Sequence, residues 1–577
     1  MTNITDIRKK ASAWLRDEFD EATRTEVQAL LDGDEKALVD AFYQDLEFGT
    51  GGLRGIMGAG TNRMNRYTLG MATQGLANYL VRQADNRSSV KVAIAYDCRN
   101  NSSYFASVAA DIFTANGFTA YLFESLRPTP ELSYAVRLYN CDAGVIITAS
   151  HNPKEYNGYK VSWNDGGQVV EPHDRGIIDE VRKIKSISEI MTGGDPSRII
   201  TLGAETDEKF LAEVKAVSIN PDIIKRNSGI GIVYTPLHGT GYKLVPEALA
   251  MYGFTNIHTV KEQCITDGNF PTLRSPNPEE PAALSMAIDL AKAKGADLVM
   301  ATDPDADRLG IAVRKPSGEF VLLNGNQTGA LLTWYIISQK KQRGQLNGNE
   351  YIISTIVTSD LLGRIAEKNG VECYYVLTGF KFFAELIREL EGKKKYIGGG
   401  EESFGYLPGD YVRDKDAVAS CALIAETAAW AADNGKTLWS LLLDIYADYG
   451  LFREKLVNVV RKGAEGAGEI KKMMEDFRNT PPLEIAGSRV VKADDYLRSI
   501  STDSVSGKTI PLHLQKSNVL QFFLDDGTKI SVRPSGTEPK IKFYFSATSG
   551  LENVSDFEAA WQALDERIDK IIKDLHL

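Results

Sequence analysis

Trp14-Leu15, Phe19, Val27, Leu30-Leu31 and Ala37-Leu38-Val39 recur at near-helical intervals among Asp, Glu and Lys, which predicts helices over about the first 45 residues. Short, continuously apolar runs then alternate with helical stretches. Strands are predicted at Val90–Tyr96, Thr119–Phe123, Ala143–Ile147, Ile230–Tyr234, Thr255–Val260, Leu298–Ala301 and Tyr351–Val357, with helices at Ser103–Asn116 and near Pro130–Tyr139. Alternation of this kind predicts largely parallel sheets covered on both faces. Near the carboxyl end the pattern changes. Phe522-Phe523-Leu524, Asp525-Asp526-Gly527 and Ile530-Ser531-Val532 read as a hairpin, Phe543-Tyr544-Phe545 as part of a mixed sheet, and a terminal helix starts near Val554. Polar or Gly-rich stretches at 191–197, 315–318, 340–350 and 462–468 are candidate boundaries.

A length of 577 residues exceeds what one hydrophobic core organises, so several domains are expected. Hydrophobic residues at 43% and charged residues at 25% exclude a disordered chain. A net charge of −11 argues against a nucleic-acid binder, although a local nest of Arg and backbone N–H groups can still hold a small phosphate. The five cysteines lie far apart and form no CxxC pair, so reduced thiols are expected. No apolar run reaches a membrane span, and the first residues lack the apolar core of a signal peptide. A soluble, cytoplasmic protein with no membrane partner is the expectation.

Four loops of unusual composition stand at strand ends, one per section, which suggests four domains converging on one cleft. The first is Thr148-Ala149-Ser150-His151-Asn152-Pro153, with Lys160 returning after Gly158, a residue that permits a tight turn. A hydroxyl just past an apolar strand projects from the carboxyl edge of a sheet. Read alone, the segment is equally a strand exit with Asn-Pro turn punctuation. It is not a hydrolase elbow, because Thr148 and Asn152 flank Ser150 where G-x-S-x-G needs glycines.

The second loop is Asp303-Pro304-Asp305-Ala306-Asp307-Arg308. Three carboxylates at alternate positions repel unless a cation gathers them. An all-oxygen set points to a hard ion, Mg²⁺ before Mn²⁺ or Ca²⁺. An EF-hand is excluded by Arg308 and Arg314 at its sixth and twelfth positions. The third loop, Gly400-Glu401-Glu402-Ser403-Phe404-Gly405, has adjacent acids able to accept hydrogen bonds from vicinal sugar hydroxyls, though a flexible turn reads as well. Thr378-Gly379-Phe380-Lys381 offers a further loop with a cationic end. The fourth is Arg533-Pro534-Ser535-Gly536-Thr537, where a guanidinium, two hydroxyls and a Gly N–H can surround a phosphate. It lacks the Walker pattern, and Gly49–Gly55 has Arg54 where a dinucleotide fingerprint needs its third Gly. A hydroxyl nucleophile, a metal loop, a sugar loop and a phosphate clamp together describe phosphoryl transfer on a phosphorylated sugar.

The stretches GTGGLRG (49–55), TASHNPKEYNGYK (148–160), DPDADR (303–308), GEESFG (400–405) and RPSGT (533–537) resemble, in order, the motifs of the α-D-phosphohexomutase superfamily, in particular its type-2 phosphoglucomutase/phosphopentomutase branch. The resemblance implies an α/β chain of four domains around a central cleft: three related α/β domains with mixed sheets between helices, and a smaller C-terminal α+β domain. The sections would be 1–205, 206–325, 326–452 and 453–577. By the same resemblance Ser150 cycles through phosphoserine, and its phosphate with Asp303, Asp305 and Asp307 holds Mg²⁺. Arg54, His151 and Lys160 position phosphates and shuttle the hydroxyl proton, with Lys160 first for general base. Arg308 sits beside the phosphoserine, while Glu401 and Ser403 contact the sugar; Thr378, Gly379 and Lys381 of the neighbouring loop are added as substrate-binding candidates. Arg533, Ser535, Gly536 and Thr537 take the non-reacting phosphate. The implied reaction interconverts glucose 1- and 6-phosphates through glucose 1,6-bisphosphate. Phosphopentomutase, phosphomannomutase and sugar-bisphosphate synthase remain alternatives with the same chemistry. Phe404 and Gly405 after Ser403, in place of the G-E-x-S-G-H of dual-specificity members, favour glucose.

Overall fold

Asn3, Asp20 and Asp34 start three short helices, α1 (Ile4–Ser12), α2 (Glu21–Asp32) and α3 (Glu35–Phe42), each side chain accepting a hydrogen bond from a first-turn backbone N–H. Such caps contribute about 1 kcal/mol apiece. The helices bury Trp14, Phe19 and Phe42 against Tyr67, whose hydroxyl donates to Asp20 Oδ2 at 2.8 Å. The computed structural model describes residues 3–49, 52–84, 89–461, 463–535 and 540–577. They divide into two units: Met1–Gly325 with Phe380–Gly398 and Ser403–Asn434, and Asn326–Gly379 with Gly399–Glu402 and Gly435–Leu577.

In the first unit a six-stranded sheet has the order β1-β5-β4-β2-β3-β6, from β1 (Gly52–Ile56), β2 (Lys91–Tyr96), β3 (Thr119–Phe123), β4 (Ala143–Ile147), β5 (Tyr156–Trp163) and β6 (Ile199–Leu202). A second sheet has the order β11-β10-β9-β7-β8, from β7 (Ile232–Thr235), β8 (Ile257–Thr259), β9 (Leu298–Thr302), β10 (Leu309–Arg314) and β11 (Phe320–Leu323). Buried Val, Ile, Leu and Ala side chains from strands and flanking helices fill both faces of the first sheet and pack the second.

These sheets are mixed, as the resemblance implies, and less parallel than the apolar alternation alone predicts. The pairs β2–β3, β2–β4, β3–β6, β7–β8 and β7–β9 are parallel, whereas β1–β5, β4–β5, β9–β10 and β10–β11 are antiparallel. Continuous apolar runs announce the parallel strands, whereas the antiparallel return β5 carries Asn157, Lys160 and Ser162 and shows no such run. The difference matters because β4 and β9 turn straight back into β5 and β10, and the Ser150 and Asp303 loops are those two connections. Residues 315–318, read as a boundary, are the turn between β10 and β11.

In the second unit β12 (Glu350–Thr355) and β13 (Glu372–Val376) run parallel. The chain crosses from the first unit to the second along β14 (Lys395–Glu401) and returns before β15 (Gly405–Leu407). The smaller C-terminal part is an antiparallel sheet of β16 (Leu451–Val460), β17 (Glu484–Ile485), β18 (Ser488–Asp495), β19 (Ile500–Asp503), β20 (Thr509–Pro511), β21 (Leu520–Leu524), β22 (Lys529–Pro534) and β23 (Lys540–Ser549), with helices Gly463–Asn479 and Phe557–Asp574. Residues 463–468, read as a linker, open the first of these helices, while Lys462 lies outside the described residues. Burial of Ile470 and Met474 on that helix offsets the cost of its glycines, about 1 kcal/mol each. All five cysteines are free thiols, and no helix among the described residues is long and apolar enough to cross a membrane.

Candidate active site

Ser150 follows β4 at the point where the backbone takes a left-handed turn, φ 51°, and it is 3% exposed. A non-glycine residue in that conformation is strained and is held there by its surroundings. Its Oγ donates to Asp303 Oδ2 at 2.7 Å and lies 3.2 Å from His151 Nδ1, while its N–H donates to Thr148 Oγ1. Burial, then the nearby Arg308 and Arg54 guanidinium groups, push the His151 imidazole well below its usual value, so the ring is neutral. Gly158 is not a turn residue, a second correction. It lies within β5 with Thr148 and Leu53 carbonyls close on either side, where a Cβ would meet oxygens at 2.5 and 2.9 Å.

Lys160, also on β5, brings Nζ to 2.8 Å from Asp305 Oδ2 and 4.0 Å from Asp307 Oδ2. Asp303, Asp305 and Asp307 are buried at the β9–β10 connection, and each offers an oxygen within 4.8 Å of the others. Burial and mutual repulsion push Asp303 up. Asp305, which burial alone would raise, is held well below the carboxylate range chiefly by Lys160. Asp305 Oδ1 and Asp307 Oδ1 are buried and have no hydrogen-bond partner. Orphaned carboxylate oxygens inside a protein are costly unless a cation takes them. These residues therefore fit a metal ion, and the all-oxygen donor set suits a hard divalent one. Arg308 pairs with Glu279 at 2.8 Å, and exposed Arg54 reaches Asn152 Oδ1 at 3.4 Å.

Several residues that sequence reasoning passed over build this site. Thr129 holds the Asp loop from one side, its N–H donating to the Asp305 carbonyl at 2.9 Å and its hydroxyl to Asp305 Oδ2 at 3.0 Å. From another side Thr240 N–H donates to the Pro304 carbonyl, and Gly239 leaves no room for a Cβ, which would sit 2.5 Å from Pro304 Cα. Lys415, 3.0 Å from Asp307 Oδ2 and 2.8 Å from Asp414, is a second ammonium at the cluster. Only Lys415, within Arg413-Asp414-Lys415-Asp416, carries a local signal: a cation between acids.

The remaining candidates fall on other loops. In the second unit Gly379 N–H donates to Glu401 Oε1 at 2.7 Å, with half-buried Thr378 beside it. Glu402 accepts from Thr358 Oγ1 at 3.0 Å, and burial followed by repulsion from Glu401 pushes its carboxyl up to about 7. Arg533 is the penultimate residue of β22, opposite Lys542, and Ser535 N–H donates to the Lys540 carbonyl at 2.8 Å. Gly536 and Thr537 lie outside the described residues. Lys381 and Ser403 belong to the first unit: Ser403 is half-buried in the turn before β15, and Lys381 lies within electrostatic reach of Asp174, Glu385 and Glu171.

Comparison with known proteins covers nearly the whole chain. Residues 45–188, 208–318 and 324–449 match the alpha/beta/alpha domains I, II and III of phosphoglucomutase/phosphomannomutase, and residues 457–560 match its C-terminal domain. Phosphoglucomutases of Staphylococcus aureus, strain bovine RF122 among them, are 39% identical over 518 residues, 88% of this chain and 90% of theirs. Among solved structures, the open form of Paramecium parafusin, a phosphoglucomutase, superposes with a TM-score of 0.66 at 18% identity, covering 92% of this chain and 96% of that one. A phosphoglucomutase/phosphomannomutase family protein of Burkholderia thailandensis gives 0.65 at 18%, covering 91% and 96%.

Proposed function

The chain belongs to the phosphoglucomutase/phosphomannomutase family, and on that premise we propose that it interconverts glucose 1-phosphate and glucose 6-phosphate through a phosphoserine at Ser150. It is an isomerase by reaction class. The observation that carries the assignment is Ser150 Oγ, 2.7 Å from Asp303, beside three buried carboxylates whose unpartnered oxygens call for a cation.

In the proposed cycle the Oγ–phosphorus bond breaks as a sugar hydroxyl oxygen bonds to phosphorus, and the hydroxyl proton leaves to a base. The resulting glucose 1,6-bisphosphate reorients, Ser150 Oγ bonds to its other phosphorus as that sugar oxygen–phosphorus bond breaks, and the base returns the proton to the freed sugar hydroxyl. Lys160, already at the cluster, is our first choice to move the proton; neutral His151 lies beside Oγ to share it. Arg54 and Arg308 hold phosphate oxygens. Asp303, Asp305 and Asp307 would hold Mg²⁺, with a Ser150 phosphate oxygen as a further ligand; the ion supplies charge neutralisation at the transferring phosphate. Glu401, Ser403, Thr378, Gly379 and Lys381 are assigned to the sugar, and Arg533, Ser535, Gly536 and Thr537 to the non-reacting phosphate. Sections 1–205, 206–325, 326–452 and 453–577 would each carry one loop, and the enzyme would work in the cytoplasm on small sugar phosphates.

Glucose preference rests on Phe404 and Gly405 after Ser403 and on the names of the relatives. The test is a panel of glucose, mannose, ribose and N-acetylglucosamine 1-phosphates with Mg²⁺ and catalytic bisphosphate. The reading requires the largest kcat/KM for glucose 1-phosphate, and a larger value for ribose or mannose overturns the preference.

A further inference from the structure

We propose that Arg99 is the positioning residue that sets the Ser150 loop for phosphoryl transfer, an inference that rests on Ser150 being the phosphate carrier. Arg99 stands just past β2, and its side chain is fully buried. Its two terminal nitrogens donate to four carbonyls of one short loop: Nη2 to Ser150 and Asn152, both at 2.5 Å, and Nη1 to Pro153 at 2.9 Å and Tyr156 at 3.0 Å. The loop that strains Ser150 into φ 51° is thus tied at four points to one rigid, planar group. Arg99 touches neither Ser150 Oγ nor the three aspartates of the metal loop in any hydrogen bond, so it acts through the backbone alone.

The guanidinium is itself fixed. Asp97 Oδ2 lies 3.3 Å from Nε, and Asp97 Oδ1 accepts from Arg99 N–H at 2.9 Å and from Ser102 at 2.7 Å. The Phe270 ring lies 5.3 Å from the guanidinium carbon. Phe270 belongs to a segment that His238 holds by two contacts, 2.7 Å to the Ile265 carbonyl and 2.8 Å to Thr272 Oγ1. Next to His238 in the chain, Gly239 and Thr240 brace Pro304 of the Asp loop. One framework therefore holds the Ser150 loop through Arg99 and the Asp loop through Thr240, which fixes the distance between Oγ and the carboxylates. A lysine cannot replace this fork, because one ammonium offers three donors from a single point.

The test compares Arg99→Lys with wild type and Ser150→Ala by steady-state kinetics, by the rate and final amount of phosphate taken up from glucose 1,6-bisphosphate, and by thermal unfolding. The proposal predicts a folded Arg99→Lys protein whose kcat falls about 30- to 300-fold with KM within about twofold, since misplacement of an attacking group acts on the chemical step. Phosphate uptake should be slowed to a similar degree yet reach the wild-type amount. A purely structural role would lower the final amount, in proportion to a lost folded fraction, and overturns the proposal. So does a folded variant with kcat within about threefold of wild type. Phosphate uptake or turnover by Ser150→Ala sinks the phosphoserine reading itself, whatever Arg99→Lys does. Should Arg99→Lys not fold, Phe270→Leu decides, because it keeps all four hydrogen bonds and removes the stacked ring. A kcat lowered about three- to tenfold at unchanged KM supports the proposal, and wild-type kcat in the folded variant overturns it.

Discussion

Asp303, Asp305 and Asp307 face the Lys160 and Lys415 ammonium groups and keep two buried oxygens without hydrogen bonds, whereas Glu401 and Glu402 face a backbone N–H and a threonine hydroxyl. Both loops place acids where water is scarce. The first surrounds them with charge and leaves room for more, the arrangement expected around a metal and a transferring phosphate. The second gives them neutral hydrogen-bond donors, and burial with repulsion from Glu401 outweighs the Lys542 charge and pushes Glu402 up to about 7. That is the environment for recognising a polyol, whose hydroxyls are themselves neutral donors. Adjacent carboxylates in a sequence thus mean different chemistry according to what packs beside them.

The comparison predicts different kinetic signatures for the two loops. Asp305→Asn should lower kcat about 100-fold or more, about 2.7 kcal/mol of barrier, with KM moving less than about threefold. It should also weaken Mg²⁺ binding measured by titration calorimetry. Normal kcat at sub-millimolar Mg²⁺ would reduce the loop to an acidic turn. Glu401→Ala should mainly raise KM, about tenfold, the loss of about 1.4 kcal/mol in sugar contacts. If it instead lowered kcat with KM unchanged, the division between the loops would collapse.

A smaller effect separates Glu402. Its folded value, about 7, lies above the ordinary 4.5, so between those values the folded chain keeps a proton that the unfolded chain has lost. Stability from this group is present below about pH 4.5 and is lost as pH rises to about 7. Glu402→Gln should therefore flatten the decline of the thermal midpoint between about pH 5 and about pH 8 relative to wild type. Parallel profiles for the two proteins would show that Glu402 titrates normally.

The strands β2, β3, β4, β7, β8, β9 and β12 and the acid and hydroxyl loops at strand ends were legible in the sequence because local composition encodes them: apolar runs make these strands, and acids or glycines mark their exits. The antiparallel returns were not: β5 carries Asn157, Gly158, Lys160 and Ser162, so no continuous apolar run announces it, and nothing in the apolar run of β10 reports its sense. The supports of the site were hidden for a different reason. Thr129 meets Asp305 across 176 positions and Arg99 meets Ser150 across 51, so neither has a local pattern to betray it. The helix at 463–479 escaped because its glycines suggest a linker, while tertiary burial of Ile470 and Met474 decides the outcome.

The phosphoserine at the centre of the account is tested most directly by mass spectrometry of the Ser150 peptide after incubation with Mg²⁺ and glucose 1,6-bisphosphate whose phosphates carry an oxygen-18 label, followed by a chase with unlabelled glucose 1-phosphate. The account predicts one added phosphate, located on Ser150, that the chase transfers to sugar. An unmodified Ser150 in turning-over enzyme, or a labelled phosphate there that the chase does not exchange for an unlabelled one, would contradict it.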